Sequence, residues 1–312
     1  MQASPAPFPG VGEICALTNA LAWGLSTIVY RLAMDRKIGT AGEIALFKNA
    51  IGLVVLVALS LGLGPELGGG LGAWSDVPWL LLAGISGMAV GDFLYFVAVH
   101  HLGVGRTLIL NQGTPVLTAL AAWPLFGETL NTGQVLGMIL VVAGGMVAES
   151  RRMDRTRADW IGILAVFSSM LCYTLANVAS RPGLDQTGPV AGAAWRLVGG
   201  AAAMWWLQSR SRKPDQNRPV LWRRPQVWSW FLAPTLIGTV GGLFLLNAGL
   251  KWAKQGVAAS LSAALPLFTV PLAVWILHER PGRRGWLGVL LVVMGVALLG
   301  LSLSSNGGNP PA

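Results

Sequence analysis

Three ionisable side chains, Lys48, Asp92 and Arg196, each lie inside a long apolar run of the chain. A charge at the centre of a membrane-length segment costs about 2.5–3.5 kcal/mol on insertion scales, so such groups face a cavity or a partner. Two cations can hold an anionic group such as a carboxylate, and Asp92 can hold an amine or a proton. Polar and aromatic residues recur near them at helical spacing: Asn19, Trp23 and Thr27 in one run, Ser169, Tyr173 and Asn177 in another, and Tyr95 and Phe96 on the face of Asp92. A spacing of four places each trio on one side of a helix. This chemistry suits non-covalent recognition of a small polar molecule, with Asn19, Trp23, Lys48, Asp92, Tyr95, Tyr173, Asn177 and Arg196 as the binding candidates. The competing reading is architectural: Lys48 and Asp92 as an ion pair, Arg196 stretching to the interface, and hydroxyls and amides joining helix to helix.

Covalent chemistry fits poorly. The sequence has no His/Glu cluster with metal-ligand spacing, no phosphate-cradling motif and no Ser/His/Asp grouping above chance, so neither an enzyme nor a cofactor or metal is expected. Cys15 and Cys172 stand in separate apolar runs and read as small apolar residues. His100 and His101 close an apolar run and read as interfacial residues rather than a proton relay; Glu128 and Glu279 end two others and read as helix caps, with a gate contact as the alternative. Asn247 and the pair Asn111 and Gln112 read as contacts between helices.

The elements that carry these residues follow from composition. Of 312 residues 54% are hydrophobic and only 11% charged, against roughly 25% charged in soluble domains, and the mean hydropathy is +0.60. Runs long enough to cross a bilayer fall at about Ile14–Ala33, Ile44–Gly62, Pro78–Val99, Thr107–Phe126, Thr132–Ala148, Trp160–Ala179, Pro189–Leu207, Val227–Leu250, Gly256–Leu277 and Gly285–Ser302. Because lipid offers backbone groups no partner, and the runs are continuous rather than alternating, they are expected to be ten helices. Trp74, Trp79, Trp160, Trp222, Trp228, Trp252 and Trp286 fall near their ends, as an interfacial belt requires. Met1 to Gly12 lacks Lys and Arg, so the first run is expected to stay in the mature protein.

Landmarks repeat at a fixed offset of 151 residues: Gly87, Gly105, Pro115, Glu128, Gly137 and Gly144 are matched by Gly238, Gly256, Pro266, Glu279, Gly288 and Gly295. Duplicating an odd number of spans turns the second copy upside down, the architecture of secondary transporters. The expected fold is therefore an all-α integral membrane protein with ten transmembrane helices as two inverted five-helix repeats. Its parts are a first repeat at 1–149, a basic linker at 150–159, a second repeat at 160–303 and a flexible tail at 304–312. Pro115 and Pro266 are expected to kink equivalent spans, and Gly87 with Gly91 and Gly133 with Gly137 to let helices approach closely.

Charge placement agrees with inversion. Of 22 Lys and Arg, 17 fall on the side of the loops after odd-numbered spans, 3 on the even-numbered side with the termini, and 2 within spans. The net charge of +9 thus reads as a topology signal rather than a nucleic-acid footprint, and it places the termini outside.

The repeated stretches resemble the EamA-type repeats of the drug/metabolite transporter superfamily. In the first copy they are Gly105-Arg106 through Leu110, Pro115, Phe126-Gly127-Glu128, Gln134 to Gly137 and Gly144-Gly145. In the second they are Gly256 to Ala259, Pro266, Leu277-His278-Glu279, Gly285 to Gly288 and Gly295. The resemblance covers nearly the whole chain, with His278 standing where the family pattern has glycine. It implies a ten-helix transporter, often an exporter, of small metabolites such as amino acids, in the cytoplasmic membrane of a prokaryote and with both termini inside. A channel or lipid-translocating protein is the alternative. The expected partners are a small-molecule substrate and the lipid bilayer, with coupled protons and a homodimer admitted and nucleic acid excluded.

Overall fold

The computed structural model describes residues 8–38, 41–63, 70–102, 107, 110–128, 130–149, 160–211, 223–277 and 282–304. Among them no strand occurs. The first repeat comprises α1 (Val11–Asp35), α2 (Ala41–Gly62), α3 (Val77–Ala83) continued through a π-helical segment (Gly84–Gly91) into α4 (Asp92–Leu102), then α5 (Thr114–Phe126) and α6 (Thr132–Glu149). The second comprises α7 (Trp160–Gly183), α8 (Pro189–Ser211), α9 (Pro225–Pro234) continued through a π segment (Thr235–Gly241) into α10 (Gly242–Trp252), then α11 (Gln255–Ser262), α12 (Pro266–Leu277) and α13 (Arg283–Ser304). The linker at 150–159, the tail from 305, His278 and Glu279 lie outside the described residues.

Local sequence sets many of these boundaries. Pro78, Pro115, Pro189, Pro225 and Pro266 all stand in the first turn of a helix, where a missing N–H leaves no bond unmade. Gly127, at φ 65°, ends α5 in the left-handed conformation. Asn131 and Gln134 cap α6 reciprocally: Gln134 N donates to Asn131 Oδ1 at 2.8 Å, and Asn131 N to Gln134 Oε1 at 3.1 Å.

Two expectations need correction. The fourth and ninth spans are not continuous kinked helices. Pro115 and Pro266 instead open fresh helices, α5 and α12, after breaks at equivalent positions, because proline suits a first turn better than a helix interior. The third and eighth spans carry π segments, again at equivalent positions, where plain helix was expected.

Five stretches among the described residues are long and apolar enough to cross a membrane: Val11–Tyr30, Val77–Tyr95, Trp160–Gly183, Pro225–Trp252 and Gln255–Ile276. Shorter apolar helices at Leu46–Gly62, Thr114–Phe126 and Thr132–Val147 lie beside them. Val54, Trp123, Leu164 and Trp275 are exposed, whereas Asn19, Lys48, Gln134 and Arg196 are buried. That is the reverse of a water-soluble domain and suits a lipid-facing surface.

Inversion is visible in one contact. Gly137 and Gly144 of α6 press against the backbone of α13, and a Cβ at either would come within 2.9 Å of Gly295 O or 2.7 Å of Gly288 O respectively. Moving forward along α6 moves the partner backward along α13, so these two equivalent helices run antiparallel. Around them, α1 packs on α10 and on the second π segment, as α7 packs on α4 and on the first.

Candidate functional site

Each π segment is rich in glycine, and at its C-terminal end a glycine meets an aromatic side chain from the opposite repeat: Gly91, the last residue of the first segment, and Gly242, the residue just after the second. A Cβ on Gly91 would lie 3.1 Å from the Tyr173 ring, and one on Gly242 would lie 2.7 Å from Trp23 Nε1. The arrangement is two-fold: α7 of the second repeat brings Tyr173 to Gly91, and α1 of the first brings Trp23 to Gly242. Ser169 Oγ donates to Gly91 O at 2.9 Å. Its counterpart Asn19 is buried beside Gly242, with no hydrogen-bond partner on its Oδ1.

Lys48 links the two halves of this arrangement. Its Nζ stands 3.9 Å from Asp92 Oδ2, 5.8 Å from the centroid of the Trp23 ring and 3.2 Å from Asn49 Oδ1, to which it donates. Tyr173 OH donates to the other carboxylate oxygen of Asp92 at 2.7 Å. Asp92, the first residue of α4, is thus held by a cation from α2 and a phenol from α7. The Lys48 side chain is 10% and that of Asp92 23% exposed, so the pair interacts in a largely dry setting where both attraction and loss of a partner are strengthened. An amine and a carboxylate side by side, flanked by indole and phenol rings, can exchange their mutual contact for one with a zwitterion. Among the described residues no group of three His, Cys, Asp or Glu could hold a metal.

The structure separates the other candidates. Arg196 is buried, at 3% exposure, and does not stretch to the interface. Its Nη1 donates to Asn247 Oδ1 at 2.6 Å, while Asn247 Nδ2 donates to Pro189 O at 3.2 Å. Its carbonyl packs on Gly84, the opposite end of the first π segment from Asp92. Tyr95 is half-buried one turn beyond Asp92 on α4, and Asn177 donates to Thr118 Oγ1 at 3.4 Å, joining α7 to α5. Thr27 bonds back to Trp23 O within its own helix, at 2.7 Å. Gln112 packs against Gly145.

Sequence reasoning missed two partnerships. Asn247 reads as a contact between helices and is one, joining α10 to Pro189 and Arg196 of α8, but its partnership with a buried guanidinium was not foreseen. Arg181, one of the three basic residues on the even-numbered side, counted only toward topology. It pairs with Glu128 and lies 5.0 Å from the Phe126 ring centroid, and Glu128 Oε2 accepts from Gln255 N at 2.8 Å, capping α11. Nothing in the spacing of residues from different repeats announces that ion pair.

This side of the molecule, where the even-numbered loops lie, is closed by further polar contacts between repeats. Gln186 N donates to Asp76 Oδ2 at 2.9 Å, Ala73 N to Thr187 Oγ1 at 3.2 Å, and Trp195 Nε1 to Leu71 O at 2.8 Å. Toward the other side the repeats meet through aromatic rings: Phe47 lies 5.2 Å from Trp228 and 5.6 Å from Phe231, edge to face in both cases. A cleft of about 380 Å³ between α1 and α9 is lined by residues including Leu25, Val29, Trp230 and Ile237. It is apolar and does not include the Lys48–Asp92 pair.

The sequence model of a family described as the EamA-like transporter family matches residues 10–148 and, again, 160–301. "Uncharacterized transporter YwfM" of Bacillus subtilis (strain 168) is 24% identical over 297 residues, 92% of this chain and 93% of its own length. A protein of Streptantibioticus cattleyicolor named "Probable terminal-alkyne amino-acid exporter" is 26% identical over 251 residues, 79% of this chain and 80% of its own. A solved crystal structure with no function in its description superposes with a TM-score of 0.77 at 20% identity, covering 96% of this chain and 100% of the other, and likens the fold alone.

Proposed function

The chain belongs to the EamA-like transporter family, and we propose that it is a secondary transporter that exports small polar metabolites of the amino-acid class by alternating access. That it is a multi-pass membrane transporter for small molecules rather than an enzyme follows from the family; the cargo, direction and mechanism are the proposal. One observation carries it: Lys48 and Asp92 from one repeat meet Tyr173 from the other beside a π segment, so the charged pair lies where the two repeats join. Residues 1–149 and 160–303 are then the two rocking units, joined by the linker at 150–159. A zwitterion would bind with its ammonium on Asp92 and its carboxylate on Lys48, against Trp23 and Tyr173, with Asn19 adding an amide. Asp92 would exchange cargo for a coupled proton during the cycle, giving up its pairing with Lys48 while protonated. Export is supported by the family resemblance and by the exporter name of the Streptantibioticus relative. The prokaryotic cytoplasmic membrane is the proposed location, and the excess of basic residues in the odd-numbered loops supports an orientation with those loops inside, against the family resemblance, which implies the termini inside.

The test is flux in proteoliposomes of the purified protein, over amino acids, amines and cationic drugs, under an imposed pH gradient. Saturable amino-acid flux that responds to the gradient, and loses that response in Asp92→Asn, is expected. Unchanged pH dependence in the variant would remove Asp92 from coupling, and flux that never saturates would favour a channel.

A further inference from the structure

The two repeats are equivalent in backbone but not in charge. Lys48, near the start of α2, corresponds to Arg196, near the start of α8. Asp92 corresponds, at the offset of 151 residues, to Leu243, which is buried at 2% exposure. The first repeat therefore contains the carboxylate that neutralises its buried cation, and the second, among the described residues, does not. Arg196 takes part in no ion pair among the described residues. Its single side-chain hydrogen bond there is to a neutral amide, Asn247, and its Nε has no acceptor although it is fully buried.

A guanidinium presents five N–H donors in a planar fork matched to a carboxylate, and burying it without an anion is strongly unfavourable. Asn247 cannot supply the missing charge, and its own amide N–H is already used by Pro189 O. Both residues lie within about two turns of the even-numbered loops, beneath the polar closure formed by Asp76, Thr187 and their partners.

We propose that Arg196, with Asn247, is a carboxylate-binding station on the even-numbered side of the central site, which the anionic end of the cargo occupies as it passes. The inference rests on the transport reading and narrows its substrate class: the cargo carries a free carboxylate, and blocking that group as an amide strongly weakens recognition. The carboxylate does for Arg196 what Asp92 does for Lys48.

The experiment is thermal unfolding of the full-length protein in detergent, in chloride-free buffer, with each common amino acid beside its amide, and with chloride alone. One or more amino acids are expected to raise Tm and the matching amides to do so far less. Arg196→Gln should weaken binding of the effective amino acid by about tenfold or more, the loss of a charge-assisted hydrogen bond, with Arg196→Lys retaining part of it. Asn247→Asp should abolish the carboxylate-specific stabilisation by filling the site from within, and it decides the matter if Arg196→Gln does not fold. Equal stabilisation by acids and amides, no stabilisation by any carboxylate, chloride alone reproducing the whole effect (an adventitious ion only), or an Asn247→Asp protein that responds like the parent would each overturn the proposal. Flux in liposomes of the same preparations keeps the two ideas apart. Transport without carboxylate discrimination sinks the station alone, whereas carboxylate-specific stabilisation that is lost in Arg196→Gln, without transport of any compound, sinks the transport reading and leaves the station.

Discussion

Tyr173 decides how Asp92 is used. Its hydroxyl occupies one carboxylate oxygen at 2.7 Å and leaves the other to Lys48. Tyr173→Phe keeps the ring against Gly91 and removes only that donor, so it should spare the fold. A hydrogen bond to a charged group is worth about 1.5–3 kcal/mol, and transport should fall by about tenfold or more, read as initial flux in proteoliposomes. Flux within twofold of the parent would make the contact incidental. Lys48, Asp92 and Tyr173 were each legible as candidates because charge in an apolar run and four-residue spacing are strong signals, and the Lys48–Asp92 pair was legible as the architectural reading; the contact of Tyr173 with Asp92 was not. The pairings of Arg196 with Asn247 and of Glu128 with Arg181 were not, since each joins helices whose relative placement depends on the whole fold.

At the scale of elements, ten apolar runs were readable because lipid imposes both length and composition on a span. The π segments at Gly84–Gly91 and Thr235–Gly241 were not, because hydropathy carries no information on which carbonyl an N–H selects. Nor did it reveal the breaks before Pro115 and Pro266, where apolar residues continue through a change of helix. Glycine content was the better clue, and α6 shows its use. A Cβ at Gly144 would lie 2.7 Å from both Gly288 O and Val292 N, with backbone on the far side that cannot rotate away. Gly144→Leu should therefore force α6 and α13 apart and destabilise the protein by about 1–3 kcal/mol, seen as a lower Tm in detergent. An unchanged Tm would show that the helices separate freely.

For the whole molecule, the two sides are closed by different means: hydrogen bonds and the Glu128–Arg181 pair on one, Phe47, Trp228 and Phe231 on the other. Glu128 ties the end of α5 to the end of α7 and the start of α11, so release of its charge should favour opening on that side. In a background lacking Cys15 and Cys172, Glu128→Gln should let a membrane-impermeant maleimide reach Asn177→Cys about tenfold faster, a population shift of about 1.4 kcal/mol. An unaltered labelling rate would show that the pair does not hold the closure. The glycine crossing of α6 and α13 has a consequence for ancestry. Because the contact joins a helix to its own duplicate in the opposite sense, a half-length forebear inserting both ways could have made it with a sibling molecule. Fusion of such siblings would release them from identity, and an aspartate in one copy where the other has leucine is a difference that a covalently joined pair can keep and a pair of identical chains cannot.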